Sequence, residues 1–144
     1  MTEQQIRERI DKWVAAQNRD DLDGVINSYS PDGCRVHNGV PVCGREELRK
    51  TYSTVWKALT HRTMTVQHIT ICGNTAVMEY TEHVTHAAPV GSTYGEIAGS
   101  GKQFTIHGCG VMQFDDEGIK ELRVYSNALF HMLALARGLQ PAAH

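Results

Sequence analysis

The sequence has neither an excess of basic charge nor a long apolar run. Its 14 Lys and Arg residues against 16 Asp and Glu residues leave a formal net charge of −2. Without a basic stripe to neutralise phosphates, we expect no nucleic-acid partner. The uncharged run 126–136 is far shorter than the roughly 20 apolar residues that cross a bilayer, so we expect no membrane partner. The polar start, residues 1–8, lacks a signal-peptide core and favours a cytoplasmic location.

Cysteine is scarce, and its spacing offers no motif. The four cysteines Cys34, Cys43, Cys72 and Cys109 form no Cys-x-x-Cys pair, which predicts free, mostly buried thiols in a reducing compartment. We expect no metal, because the spacing of His83 and His86 on a strand points the two rings to opposite faces. We also expect no phosphate-binding loop, since the glycine-rich stretch 91–101 lacks the Lys-Ser/Thr ending that such loops carry.

The 144 residues suit one domain, 1–144, with an ordinary hydrophobic core. Apolar residues at helical spacing predict three helices in the first 59 residues. The first helix carries Ile6, Ile10, Trp13 and Val14 on one face. The second begins after Asp20-Asp21 and ends before Pro31 and Gly33, and the third begins near Gly44.

Extended segments follow the helices. The predicted strands are 34–38, 64–72, 75–86, 104–114 and 119–125, and a short helix, 128–137, closes the chain. Helices first and antiparallel strands afterwards predict an α+β fold, with the helices on one face of a curved sheet. Gly108 and Gly110 in one strand fit strong bending and would let a ligand approach the backbone. Such a bent, covered sheet leaves a cavity on its concave side.

The order and spacing of several motifs resemble the nuclear-transport-factor-2-like superfamily, and its SnoaL-like polyketide cyclase branch most closely. The similar stretches are 15–24 (AAQNRDDLDG), 29–33 (YSPDG), 44–48 (GREEL), 85–86 (TH), 101–104 (GKQF), 111–119 (VMQFDDEGI) and 123–127 (RVYSN). The resemblance covers nearly the whole chain. It implies a cone-shaped domain with a strongly curved antiparallel or mixed sheet, three N-terminal helices on the concave face and a deep hydrophobic pocket.

The same resemblance implies an activity. Such enzymes use neither metal nor organic cofactor and move protons with a carboxylate or histidine whose pKa the pocket shifts. We therefore expect a homodimer that binds a small apolar, cyclic polyketide- or terpenoid-like ligand. The expected reaction is a cyclisation, an isomerisation or a dehydration, in the lyase or isomerase class.

One departure from the family pattern bears on this expectation. The cyclases and limonene epoxide hydrolase carry Arg-Asp-aromatic-x-Asp on the last strand, and the first Asp is catalytic. Here Val124 stands at that Asp and Asn127 at the second. Val cannot transfer a proton, so two alternatives remain open. The chain is a non-catalytic ligand-binding or assembly module, or it is an epoxide hydrolase whose attacking water is positioned by a histidine.

The strand 75–86 supplies the first candidates for acid/base groups. Its alternation allows two assignments of the inner face. Hydrophobicity alone turns one set inward: Ala76, Met78, Tyr80, Glu82, Val84 and His86. The resemblance to limonene epoxide hydrolase instead places Thr81 and His83 at that enzyme's Arg and Asp, pointing into the pocket. On that assignment His83 is the general acid or base and Glu79 supports it.

His37 is the second catalytic candidate. In the same comparison it falls on the water-holding Asn of limonene epoxide hydrolase, and Arg35 lies near that enzyme's Tyr. The alternative turns Cys34 and Val36 inward. His61 resembles the pocket histidine of scytalone dehydratase, with a surface position as the alternative. The remaining substrate-binding candidates are apolar pocket-wall or core residues: Trp56, Phe104, Met112, Leu122, Val124 and Tyr125.

Overall fold

Four helices and eight strands make up the computed structural model, which describes residues 1–140. The helices are α1 (Glu3–Asn18), α2 (Leu22–Asn27), α3 (Arg45–Ala58) and α4 (Ala128–Ala136). The first begins with a capping box, in which Thr2 Oγ1 accepts a hydrogen bond from the Gln5 amide at 3.2 Å. Gln5 Oε1 in turn accepts one from the Thr2 amide at 2.8 Å, so two amides at the free helix end are satisfied.

The strands are β1 (Tyr29–His37), β2 (Val40–Cys43), β3 (Leu59–Cys72), β4 (Thr75–His86), β5 (Val90–Ser92), β6 (Gly95–Ile97), β7 (Gln103–Phe114) and β8 (Ile119–Ser126). Six of them form one sheet in the order β2-β1-β8-β7-β4-β3. The pair β1–β8 is parallel, and the other neighbours are antiparallel. The predicted α+β class with a mixed, mostly antiparallel sheet is confirmed.

Two hydrophobic clusters hold the helices to the inner face of the sheet. The larger cluster joins α1 to the sheet through Ile6, Ile10 and Trp13, the stripe that the periodicity predicts. The smaller one packs Met132 and Leu135 of α4 against Phe104 and Ile106 of β7. Burying one such side chain stabilises the fold by about 1.5–3 kcal/mol. The helices therefore pack against the inner face of the sheet through two separate clusters.

Three short strands, β2, β5 and β6, were not predicted, and two longer strands begin earlier than predicted. Strand β1 begins at Tyr29, five residues earlier than predicted, because its pairing with β8 continues across an irregularity between Tyr29 and Cys34. Strand β3 begins at Leu59, directly after α3. There the pairing with β4 shifts register between Thr60 and Thr63, and His61 adopts a positive φ of 52°.

The prediction of four free thiols is wrong. Cys34 and Cys43 form a disulfide, because the β1–β2 pairing places the two residues directly opposite each other. The connecting residues Asn38 and Gly39 both have positive φ, 47° and 86°, as a tight two-residue hairpin turn requires. Cys72 is free and exposed, which also contradicts the prediction of burial, and Cys109 is free and half-buried.

No helix within residues 1–140 combines the length and the apolar character needed to span a membrane.

Candidate functional site

A cavity of about 640 Å³ lies between the concave face of the sheet and the helices. Its deep wall is apolar and aromatic, formed by Trp13, Tyr52, Met78, Tyr80 and Leu122. Its outer rim includes the exposed Val40 of β2 and residues of the β5 strand. A largely apolar, partly open cavity of this size is typical of a site for a small organic ligand.

Strand β4 turns Met78, Tyr80 and Glu82 into the cavity. The opposite set, with Glu79 and His83, is exposed. The prediction that Glu79, Thr81 and His83 face the pocket is therefore wrong. The inward face follows the hydrophobic alternation, one residue away from the assignment that the resemblance favours, because Met78, Tyr80 and Val84 must be buried.

The side chains of Glu79, Thr81 and His83 lie on the outer face of the sheet, where two of them contact neighbouring polar side chains. His83 Nδ1 lies 2.8 Å from Thr105 Oγ1, and Thr81 Oγ1 accepts a hydrogen bond of 2.9 Å from Gln67 Nε2. Glu79 is simply exposed. These residues are separated from the cavity by the thickness of the sheet.

Glu82 is a carboxylate in the cavity wall, with its side chain 17 % exposed. Burial raises the pKa of Glu82, and the positive charges of Arg62 and Arg35 oppose that rise without cancelling it. Arg62 Nε lies 3.9 Å from Glu82 Oε1. A carboxyl group held this way carries a proton at a higher pH than an ordinary glutamate.

Arg62 is fixed by contacts on several sides. Its guanidinium carbon lies 4.2 Å from the centre of the Trp56 ring, and its Nη1 donates a 2.9 Å hydrogen bond to the carbonyl of Leu59. Its Nη2 forms an ion pair with Asp20, which lies at the protein surface. These contacts hold a positive charge beside Glu82, and the carboxylate of Glu82 itself remains accessible from the cavity.

Strand β1 contributes Arg35 and His37 to the cavity wall, as expected for the pocket-facing alternative. His37 Nε2 lies 3.2 Å from Ser126 Oγ. Burial, and then the charge of Arg35, lower the pKa of His37 to about 4. The imidazole is therefore neutral at physiological pH, and it is a weak base.

Tyrosine hydroxyls add neutral polar groups to the cavity wall. Tyr52 and Tyr80 line the cavity, and the hydroxyls of Tyr52 and Tyr29 lie 2.8 Å apart. Burial raises the pKa of Tyr52 and of Tyr80, so both keep their protons at neutral pH. Each can donate a hydrogen bond to a ligand oxygen.

A model of the SnoaL-like domain matches residues 10–122 of the chain. The chain belongs to the SnoaL-like family. No curated protein matches it by sequence.

Solved structures of low sequence identity share the fold of this SnoaL-like domain. AclR, a putative hydroxylase from Streptomyces galilaeus, superposes with a TM-score of 0.77 at 22 % identity, covering 97 % of this chain and 100 % of its own. A putative SnoaL-like polyketide cyclase from Jannaschia sp. CCS1 gives 0.81 at 15 % identity and covers 93 % of each chain. TerC, co-crystallised with polyporic acid, gives 0.71 at 18 % identity and covers 92 % of this chain and 98 % of its own.

Three of the six apolar candidates line the cavity of the SnoaL-like domain: Trp56, Leu122 and Val124. The other three do not. Met112 is fully buried in the larger cluster, and Phe104 packs in the smaller cluster against the ring of His131, 5.6 Å away between ring centres. Tyr125 follows Val124 on the strand and is therefore on the outer face, 53 % exposed. As substrate-binding residues all three predictions are wrong, and for Met112 and Phe104 the core alternative is the observed one.

His61 is also outside the cavity. It is exposed and lies beside His83 in a shallow surface depression, so the prediction of a pocket histidine is wrong and the surface alternative is the observed one. Within residues 1–140, no three His, Cys, Asp or Glu side chains converge as a metal site would require.

Sequence reasoning did not select the carboxylate that lies in the cavity wall, Glu82. Glu82 belongs to the inward set that hydrophobicity alone favours, so its alternation with Tyr80 and Val84 was the available signal. Arg62 gave no comparable signal, because the irregular pairing at residues 60–63 breaks the alternation of β3 just where this side chain turns inward.

Proposed function

We propose that this SnoaL-like protein is an acid/base enzyme that transfers protons with its own side chains, on a largely apolar, ring-containing substrate held in the cavity. Glu82 is the proton-transferring group. The observation that carries this proposal is the position of a shielded carboxylate in the wall of a roughly 640 Å³ apolar cavity, 3.9 Å from a fixed guanidinium.

A general acid or base works best when its pKa lies near the operating pH. Burial moves the pKa of Glu82 in that direction. His37 is less suited, because a pKa of about 4 makes its imidazole a poorer proton acceptor than an ordinary histidine. We therefore assign His37 the role of a neutral hydrogen-bond partner, together with Ser126.

Removal of a proton from a carbon beside a carbonyl group places negative charge on the carbonyl oxygen. The neutral hydroxyls of Tyr52 and Tyr80 line the same cavity and would stabilise such an oxyanion. Aldol-type cyclisation, isomerisation of a double bond beside a ketone, and loss of water from a β-hydroxyketone each can begin with this step. Structural neighbours named as a hydroxylase and a polyketide cyclase, and one bound to polyporic acid, support ring-containing compounds as the substrate class.

The test uses a simple fused-ring ketone, 2-tetralone, whose acidic ring protons exchange with solvent deuterium. The exchange is followed by proton NMR with and without the protein. We expect the wild type to accelerate exchange and Glu82→Gln to lower that acceleration about a hundredfold or more. Glu79→Gln is the matched control, because it removes an exposed carboxylate from the same strand and should leave the rate unchanged. Equal rates in wild type and Glu82→Gln would refute the proposal.

A second candidate function, ligand binding without chemistry, is favoured by Val124, an apolar residue at the position of the family's catalytic Asp. It predicts that 2-tetralone binds in the cavity while its exchange rate stays at the value in buffer.

The homodimer stays a prediction.

A further inference from the structure

We propose that the natural ligand is a ring-containing organic acid whose carboxylate is bound by Arg35 in the cavity. This inference rests on the proposed function only in taking the cavity as the substrate site. It adds one charged group, bound at a defined position, to a ligand that is otherwise expected to be apolar because the cavity walls are largely apolar.

The first argument is that Arg35 has no ionic partner of its own. Within residues 1–140, its guanidinium forms no ion pair, and its identified contact is the face of the Tyr52 ring, 5.4 Å from ring centre to guanidinium carbon. Arg35 lines the cavity and is half-buried. A half-buried guanidinium without an ion-pair partner can form charged hydrogen bonds with an anionic ligand group that enters the cavity.

The second argument is the position of the carboxylate in the cavity wall. Glu82 is the carboxylate of the lining, and it lies 3.9 Å from Arg62, which also pairs with Asp20. The charge of Arg35 affects the pKa of Glu82, but Arg35 forms no ion pair with it. Within the described part of the chain the guanidinium of Arg35 therefore has no carboxylate in direct contact, and a ligand carboxylate can take that place.

The third argument concerns the groups around Arg35. Its charge affects the pKa of His37, Tyr52, Tyr80 and Glu82, which all line the cavity with it. The two tyrosines and His37 are neutral at physiological pH and can donate or share hydrogen bonds but supply no negative charge. The planar guanidinium fork matches a carboxylate with two parallel hydrogen bonds.

The experiment compares a matched pair of probes, 2-naphthoate and its neutral counterpart 2-naphthamide, by isothermal titration calorimetry at neutral pH. We expect the wild type to bind the acid about tenfold or more tightly than the amide, as charged hydrogen bonds imply. Arg35→Gln should abolish that preference, so that the ratio of acid affinity to amide affinity falls to about one. Arg123→Gln is the matched control, because Arg123 pairs with Glu121, outside the cavity lining, and should keep the full preference.

Two results would overturn the inference: a wild type that shows no preference for the acid, including one that binds neither probe, or an acid preference that survives in Arg35→Gln. The comparison of probes on the wild type stands even if Arg35→Gln fails to fold. No turnover is needed, so failure here is separate from failure of Glu82 in the exchange assay.

Discussion

The ring of Tyr80 occupies the space in which a side chain at residue 108 would stand. Gly108 lies directly opposite Tyr80 in the β4–β7 pairing, and a Cβ atom built on it would overlap the ring, with Tyr80 Cε1 only 2.7 Å away. The missing side chain on β7 is therefore what allows an aromatic ring from β4 to lie flat against the sheet and leave the cavity open.

The first prediction follows from this contact. Gly108→Ala should push the Tyr80 ring toward the cavity and destabilise the fold by about 1–3 kcal/mol, the usual cost of overpacking. Urea unfolding measures the loss. Gly110→Ala is the control, because its Cβ would meet Leu122 Cδ1 at 3.2 Å and Met78 Cε at 3.5 Å, the flexible ends of two side chains, and should cost less. Equal losses in the two variants would contradict the prediction.

The second prediction concerns the disulfide between β1 and β2. Replacing Cys34 with Ser should lower the free energy of unfolding by about 2–4 kcal/mol, since the unfolded chain regains the freedom that the cross-link removes. Denaturant unfolding without reductant gives the value. Cys72→Ser is the matched control, because Cys72 is free and exposed. If reductant leaves the wild-type unfolding midpoint unchanged, the disulfide does not stabilise the protein.

Periodicity predicts the parts of the fold in which one face is clearly apolar. The stripe of Ile6, Ile10 and Trp13 specifies α1 and its packing, and the Leu122/Val124 alternation identifies inward residues of β8. It fails where regular alternation is interrupted. The irregularity at residues 60–63 of β3 is a property of pairing with β4, which no local pattern records.

The site is harder to predict than the fold because it depends on side chains from distant elements. The hydrophobic alternation of β4 predicts the observed inward face. Glu82 is a polar residue within that apolar set, however, and the motif comparison favoured the opposite face, which carries Glu79 and His83. The Asn38-Gly39 dipeptide is a hairpin signal that would have placed Cys34 opposite Cys43. The distance of 3.9 Å between Arg62 and Glu82 needed the complete fold.

The third prediction uses the depressed pKa of His37. Its folded value is about 4 against an ordinary 6.5, so the unfolded chain takes up a proton first as the pH falls. The contribution of His37 to stability is complete above pH 6.5 and is lost progressively down to about pH 4. Titration of the His37 ring by NMR measures the folded pKa, and His37→Gln should weaken the acid-side loss of stability. A His37 pKa near 6.5 would contradict the shielding described here.

The fourth prediction has the opposite sign and tests the environment of Glu82. Its folded pKa is raised by burial from an ordinary 4.5, so above that pH the unfolded chain releases the proton more readily than the folded protein does. The stability that Glu82 contributes is present below pH 4.5 and is lost as the pH rises through the folded pKa. Urea unfolding at a series of pH values should therefore show Glu82→Gln gaining stability relative to the wild type from that pH upward. The exposed control Glu79→Gln should follow the wild type at every pH. A difference between Glu82→Gln and the wild type that stays constant with pH would show that water reaches this carboxylate freely, and the argument for Glu82 as the proton-transferring group would lose its physical basis.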